Sequence, residues 1–118
     1  MTKLERRHEP RVDAVNLINV AEFTEVGFRT DLEIGKTLDL SHDGLRVELS
    51  HPLPLRSMVG LSLVLGEALV ELHGRVRSMV SVGEHACDMG IEFVDLTPEK
   101  YEVLDEYLKL RAPEGVEV

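Results

Sequence analysis

The chain has 118 residues with 43% hydrophobic content, enough for one compact domain with a core of its own, and no apolar run long enough to cross a membrane as a helix. A single cysteine, Cys87, excludes an intramolecular disulfide and a cysteine-based zinc site. A net charge of −9 argues against broad electrostatic binding to nucleic acid or to an anionic membrane.

The charge is unevenly placed. Residues 1–11 hold Lys3, Arg6, Arg7 and Arg11 against Glu5 and Glu9, a net +2, which leaves −11 on the rest. No apolar stretch of signal-peptide type follows this basic opening, so a cytoplasmic protein is expected. Arg7 and Arg11 form an Arg-x-x-x-Arg pair, but Pro10 disfavours a helix there, and an extended, mobile arm is expected instead. Two guanidiniums on such an arm can fork onto phosphate oxygens or onto the O6 and N7 edge of a guanine. A solvated basic tail would carry the same residues, and with nine Arg in the chain the spacing arises by chance about 0.7 times.

Val12 to Phe23 and Phe28 to Ile34 read as the first strands, with Gly27 and Gly35 as breakers. Thr37-Leu38 reads as the end of a strand, and Leu45-Arg46-Val47-Glu48-Leu49 alternates apolar and charged residues as a half-buried strand does. Between them lies Asp39-Leu40-Ser41-His42-Asp43-Gly44, a turn in which Asp and Ser side chains can bond nearby backbone and Gly44 can take a positive φ. Such a turn, exposing a carboxylate and a hydroxyl, is either a ligand platform or a plain hairpin corner. Its spacing also imitates the opening of a calcium loop, but position twelve from Asp39 is Ser50 where that loop needs a bidentate Glu, and strands flank it in place of helices.

Pro52 and Pro54 mark a loop. Val59, Leu61, Leu63 and Leu65 then share one face, Gly66-Glu67 turns the chain, and Ala68 to Val80 follows with Val70, Leu72 and Val76 inward against Glu71, His73, Arg75 and Arg77. Cys87, Met89, Ile91 and Phe93 repeat the pattern. Six or seven short strands joined by Gly-bearing turns predict an antiparallel barrel or sandwich, a mainly β fold. The period then changes to that of a helix. Thr97 is a good N-cap, Pro98 fits the first turn and Glu99 suits the dipole. Tyr101, Leu104, Tyr107 and Leu108 make an apolar stripe up to Lys109 and Arg111, before Pro113 and Gly115. The expected division is an arm over 1–11, a barrel over 12–96, a helix over 97–111 that covers one barrel end, and a frayed tail over 112–118.

The residues give no sign of an enzyme. His8, His42, His51, His73 and His85 lack the spacing of a metal pair, and neither a phosphate loop of Walker type nor a nucleophile elbow is present. Cys87 faces inward and reads as a small core residue.

Arg7-x-x-x-Arg11 followed by Asp39-x-Ser41-x-x-Gly44 resembles the PilZ family of cyclic di-GMP receptors. The opening Glu5-Arg6-Arg7-His8-Glu9-Pro10-Arg11-Val12 and the strand Met89-Gly90-Ile91-Glu92-Phe93-Val94-Asp95-Leu96 extend the likeness over roughly Glu5 to Leu110. The 27 residues between Arg11 and Asp39 are somewhat long for the family, which we read as an extended first hairpin turning near Glu25-Val26-Gly27.

The resemblance implies a PilZ-like split barrel with a C-terminal helix, no catalysis, no metal and no cofactor, and cyclic di-GMP as ligand. It casts Arg7 and Arg11 against the phosphates and a guanine edge, Asp39 as acceptor for a guanine's polar edge, Ser41 as a hydroxyl contact and Gly44 as the point of close approach. Arg6 would help hold a second nucleotide, and His8 and His42, at variable motif positions, receive no role. Clamping the arm onto the barrel would order it and pass a signal to a downstream protein partner, with the receptor a monomer or homodimer. The competing reading is a PilZ-like adaptor that binds protein and no nucleotide; such members usually lack part of the motifs, and this chain retains every motif residue.

Overall fold

In the computed structural model the residues described are 12–23 and 29–111, with side chains described over 18–23 and 33–111. Six strands, β1 Val12–Phe23, β2 Arg29–Leu40, β3 Gly44–Leu49, β4 Met58–Leu65, β5 Ala68–Ser81 and β6 Cys87–Val94, precede one helix, α1 Pro98–Arg111. The strands close into a barrel in the order β1-β2-β3-β6-β5-β4, every pairing antiparallel. The expected mainly β barrel with a C-terminal helix is therefore the fold, with six strands. The arm carrying Arg6, Arg7 and Arg11, the hairpin turn at Glu25-Val26-Gly27 and the tail over 112–118 lie outside the described residues.

Alternation builds the core. Leu45, Val47 and Leu49 of β3, Val59, Leu61, Leu63 and Leu65 of β4, Val70, Leu72 and Val76 of β5, and Cys87, Met89, Ile91 and Phe93 of β6 all point inward and form one cluster. Burying each large side chain contributes roughly 1.5–3 kcal/mol, which is what closes the sheet on itself. Cys87 is part of that packing. Burial, with Glu33, Asp88 and Glu48 nearby, pushes its thiol up, so it stays protonated and inert.

Two glycines behave differently from the local reading. Gly35 does not end a strand: β2 runs through it to Leu40, pairing Gly35 with Ile18. A Cβ there would lie 2.6 Å from Leu49 Cδ2 and 2.7 Å from Val47 Cγ2, so the missing side chain makes room for core residues of β3. Gly44 does not need a left-handed backbone either. Among the described residues the glycines with positive φ are Gly66 and Gly83. What Gly44 supplies is space, because a Cβ would stand 2.1 Å from the Ile91 carbonyl oxygen of β6.

Thr97 caps α1 as expected, its Oγ1 accepting the Lys100 N–H at 3.3 Å and its carbonyl the Tyr101 N–H at 2.9 Å. Leu104, Tyr107 and Leu108 complete the core cluster, with Tyr107 also under the Arg111 guanidinium at 4.1 Å. Tyr101 is the departure from the expected stripe. It is half exposed, and its ring lies 5.3 Å from that of His42 in the β2–β3 turn. His42, which the sequence left without a role, is buried, and its Nε2 lies 2.8 Å from Asp105 Oδ1. This is a polar tie between barrel and helix. No helix among the described residues is long and apolar enough to cross a membrane.

The His42 hydrogen bond, with Lys109 at 3.1 Å adding to it, holds the Asp105 carboxyl below the usual carboxylate range. A carboxylate with a lowered folded pKa stabilises the fold above its unfolded value, near about 3.9, and loses that contribution as pH falls through the folded value. Urea unfolding of the wild type beside Asp105→Asn is therefore expected to give the wild type its full advantage above about pH 5, and an advantage that shrinks steadily as the pH is lowered into stronger acid. An advantage independent of pH would trace the difference to packing. Gly44→Ala forces β3 and β6 apart and is expected to cost about 1–3 kcal/mol by the same method, with Gly66→Ala, at a turn with open space around it, giving only the smaller cost of a strained φ.

Candidate ligand-binding site

The β2–β3 turn is built from its own side chains. Ser41 donates its backbone N–H to the Gly44 carbonyl at 2.9 Å, and its hydroxyl donates to the same oxygen at 3.3 Å. The Asp43 N–H donates to Ser41 Oγ at 3.3 Å, and the Asp43 carbonyl accepts the Phe93 N–H at 2.8 Å. Every one of these bonds draws the turn tight or fastens it to β6. Ser41 is consequently buried, at 2% exposure. Its hydroxyl is not displayed at the surface as the sequence alone led us to expect. It shapes the turn, as short polar side chains do when they bond backbone two or three residues away.

Asp39, next to last in β2, stands on the outer face directly opposite Arg46 of β3. Arg46 Nε donates to Asp39 Oδ2 at 2.7 Å, a charge-assisted bond that fixes the carboxylate, and its Nη1 lies 3.5 Å from Asp88 Oδ2. Across β3 and β6 the same row continues as Arg46, Gly90 and Ser78. With no side chain at Gly90, the row has a gap, and there a groove of about 640 Å³ opens over the outside of the barrel. Asp43 and Gly44 line it on the side of the turn, with Gly44 directly opposite Glu92 of β6, and Arg77 of β5 pairs with Glu92 at 2.9 Å, both side chains about half exposed.

Of the sequence-predicted residues, the structure thus brings Gly44 into the lining of the groove and sets Asp39, 7% exposed, against Arg46, which lines it, while Ser41 and Gly44 give the turn its form. Arg6, Arg7 and Arg11 lie outside the described residues. Three contributors escaped the local reading. Arg46 is legible only once β2 and β3 are set in register, Gly90 only once its cross-strand neighbours are known, and Arg77 only as one of several outward charges on β5.

Chemically, the groove offers a floor bare at Gly90 and flanked by guanidiniums, which stack on planar rings or fork onto phosphates, and carboxylates able to accept N–H groups. Its electrostatics are restrictive. Arg46 and Arg77 face Asp39, Asp43, Asp88 and Glu92, so the described residues around the groove carry more negative than positive charge. A polyanion would need further cations to settle here.

A scan against family profiles matches the PilZ domain over residues 5–110. No curated protein sequence matches. Solved structures do, at identities that speak for the fold alone. The PilZ domain of YcgR from Escherichia coli, determined with c-di-GMP, superposes with a TM-score of 0.68 at 15% identity over 90% of this chain and 91% of that one. The inhibitor of motility MotI/DgrA of Bacillus subtilis superposes at 0.67 with 21% identity, over 90% of this chain but 50% of its own. The PilZ domain of CeSA from a cellulose-synthesizing bacterium gives 0.58 at 23% identity, over 86% and 93%. A profile that runs from the first motif through the barrel and into α1 covers the large majority of the residues, and the chain belongs to the PilZ domain family.

Proposed function

We propose that this chain is a receptor for cyclic di-GMP, bound over the groove beside the β2–β3 turn and held there by the N-terminal arm. The observation that carries this reading is the Asp39–Arg46 pair at 2.7 Å, which fixes a carboxylate against a guanidinium that lines an outward groove whose floor is bare at Gly90. A guanine presents N1–H and N2–H donors on one edge and O6 and N7 acceptors on another. Asp39 takes the donors, and Arg7 or Arg11 of the arm the acceptors and the phosphates. The YcgR PilZ domain, of the same fold, was determined with this ligand.

The charge balance gives the arm its function. Two phosphates on a surface with excess carboxylates are repelled until cations arrive, and residues 1–11 carry the net +2 that the barrel lacks. The exposed Arg77–Glu92 pair, worth little in water, re-pairs at small cost when a phosphate approaches. Ser41 acts by holding the turn, and Gly44 by letting the turn lie close to β6. Arg6 is assigned to a second nucleotide. Ordering the arm over the groove costs conformational entropy and lowers affinity, but it creates the two states that a protein partner can distinguish.

Isothermal titration calorimetry of the purified chain with cyclic di-GMP tests this. Saturable binding is expected, weakened about 100-fold or more by Arg11→Ala and by Asp39→Ala, and about tenfold by Arg46→Ala, which releases the Asp39 carboxylate without removing it. Arg6→Ala is expected to lower the stoichiometry if two nucleotides bind. Affinity falls steeply with added salt, since the phosphate contacts are ionic. No heat, and no rise in melting temperature at a ligand concentration near the solubility limit, would remove the receptor reading and leave a protein-binding adaptor.

A further inference from the structure

The His42 side chain faces away from the groove. Asp39 is bonded to Arg46 of the groove, Asp43 and Gly44 line it, and the buried Ser41 sets the turn's shape, while the His42 side chain, 6% exposed, runs to α1. There its ring packs on Tyr101 at 5.3 Å, and its Nε2 meets Asp105 Oδ1 at 2.8 Å, 63 residues along the chain. Asp105 is itself held by Lys109, one helical turn on. On the other side, His42 is flanked by the bonds from Ser41 and Asp43 to Gly44 and Phe93. The turn has no slack, so a displacement of α1 that pulls on the imidazole pulls on the backbone of the turn.

We propose that His42 is a positioning residue that couples the ligand-facing turn to α1, so that Asp105, on a helix that does not line the groove, sets affinity for the ligand there and ligand occupancy in turn holds α1 on the barrel. The proposal rests on the reading of this turn as the cyclic di-GMP site. Coupling of this kind is reciprocal: a helix that preorganises the turn for ligand is itself more firmly docked when ligand is present. Its two states are concrete. Docked, α1 buries Leu104, Tyr107 and Leu108 in the core cluster; released, it exposes that apolar face for another protein to bind. Binding on one side of the turn thereby controls an apolar surface on the other.

The test is a double-mutant cycle on the full chain, His42→Ala, Asp105→Ala and both together, read by calorimetric affinity for cyclic di-GMP. Each single substitution is expected to weaken binding about tenfold, and the double no more than either alone, because both remove the same hydrogen bond. His42→Gln, whose side-chain N–H can reach the place of Nε2, is expected to restore affinity to within about twofold. A merely structural loss would not be rescued in this way. Losses that multiply in the double substitution, or wild-type affinity in Asp105→Ala, would overturn the proposal. Should the wild type bind no nucleotide, the receptor reading fails alone, and hydrogen exchange in the ligand-free protein decides the coupling. Asp105→Ala is then expected to speed exchange of the Asp43 and Phe93 amides about tenfold, and unchanged rates there would overturn it.

Discussion

The turn that carries the candidate site can lie against β6 only because position 44 has no side chain. The Ile91 carbonyl passes where a Cβ would be, 2.1 Å away, and that approach lets the Asp43 carbonyl take the Phe93 N–H and the Gly44 carbonyl take both donors of Ser41. The rest follows from this seat. With β3 drawn onto β6, Arg46 comes opposite Gly90 and the outer row acquires its gap, while the pairing of β2 with β3 sets Asp39 opposite Arg46. A hydroxyl spent inside the turn is part of the same economy of space. Ser41 gives up contact with solvent and fixes the backbone that presents its neighbours.

Electrostatics divides the labour between barrel and arm. A groove lined by guanidiniums alone would hold phosphate without any arm, and would signal nothing on binding. Here each described guanidinium beside the groove already has a carboxylate, Arg46 with Asp39 and Asp88, Arg77 with Glu92. These pairs differ in kind. The Asp39 side chain is about nine-tenths buried and its bond to Arg46 is short, which suits a fixed acceptor. Arg77 and Glu92 are both about half exposed, which suits exchange of partners. Net positive charge sits in the first eleven residues, whose sequence can fork onto phosphate but has Pro10 against a stable helix of its own.

Much of this was legible from residue order. Period-two alternation in Leu45 to Leu49, Val59 to Leu65 and Cys87 to Phe93 placed the inward faces correctly because a half-buried strand has no other way to satisfy that pattern. Thr97, Pro98 and Glu99 marked the start of α1 because capping is a local matter. What failed was non-local. Gly35 and Gly44 carry a signal shared by broken strands, left-handed turns and close approaches, and only the neighbours Leu49, Val47 and Ile91 decide among these. Arg46 meets Asp39 through a register that includes an irregularity between Thr37 and Asp39, and so could not be counted out along the chain. His42 finds Asp105 at a separation that no spacing rule reaches.

The same alternation that builds a strand explains why one short turn can serve two neighbours. Successive side chains in extended backbone point to opposite sides, and the turn keeps enough of this order that His42 faces α1 while Asp43 beside it lines the groove. A loop that faced only the groove could bind a ligand and change nothing else. A loop that is also bonded to a helix must move that helix or be held by it, because the hydrogen bonds within the turn leave little freedom to absorb the difference. The core contacts of Leu104, Tyr107 and Leu108 supply most of the force holding α1 down. The His42–Asp105 bond adds little to that total, yet it is the part that depends on the shape of the turn, and so it is the part through which events in the groove can alter the balance.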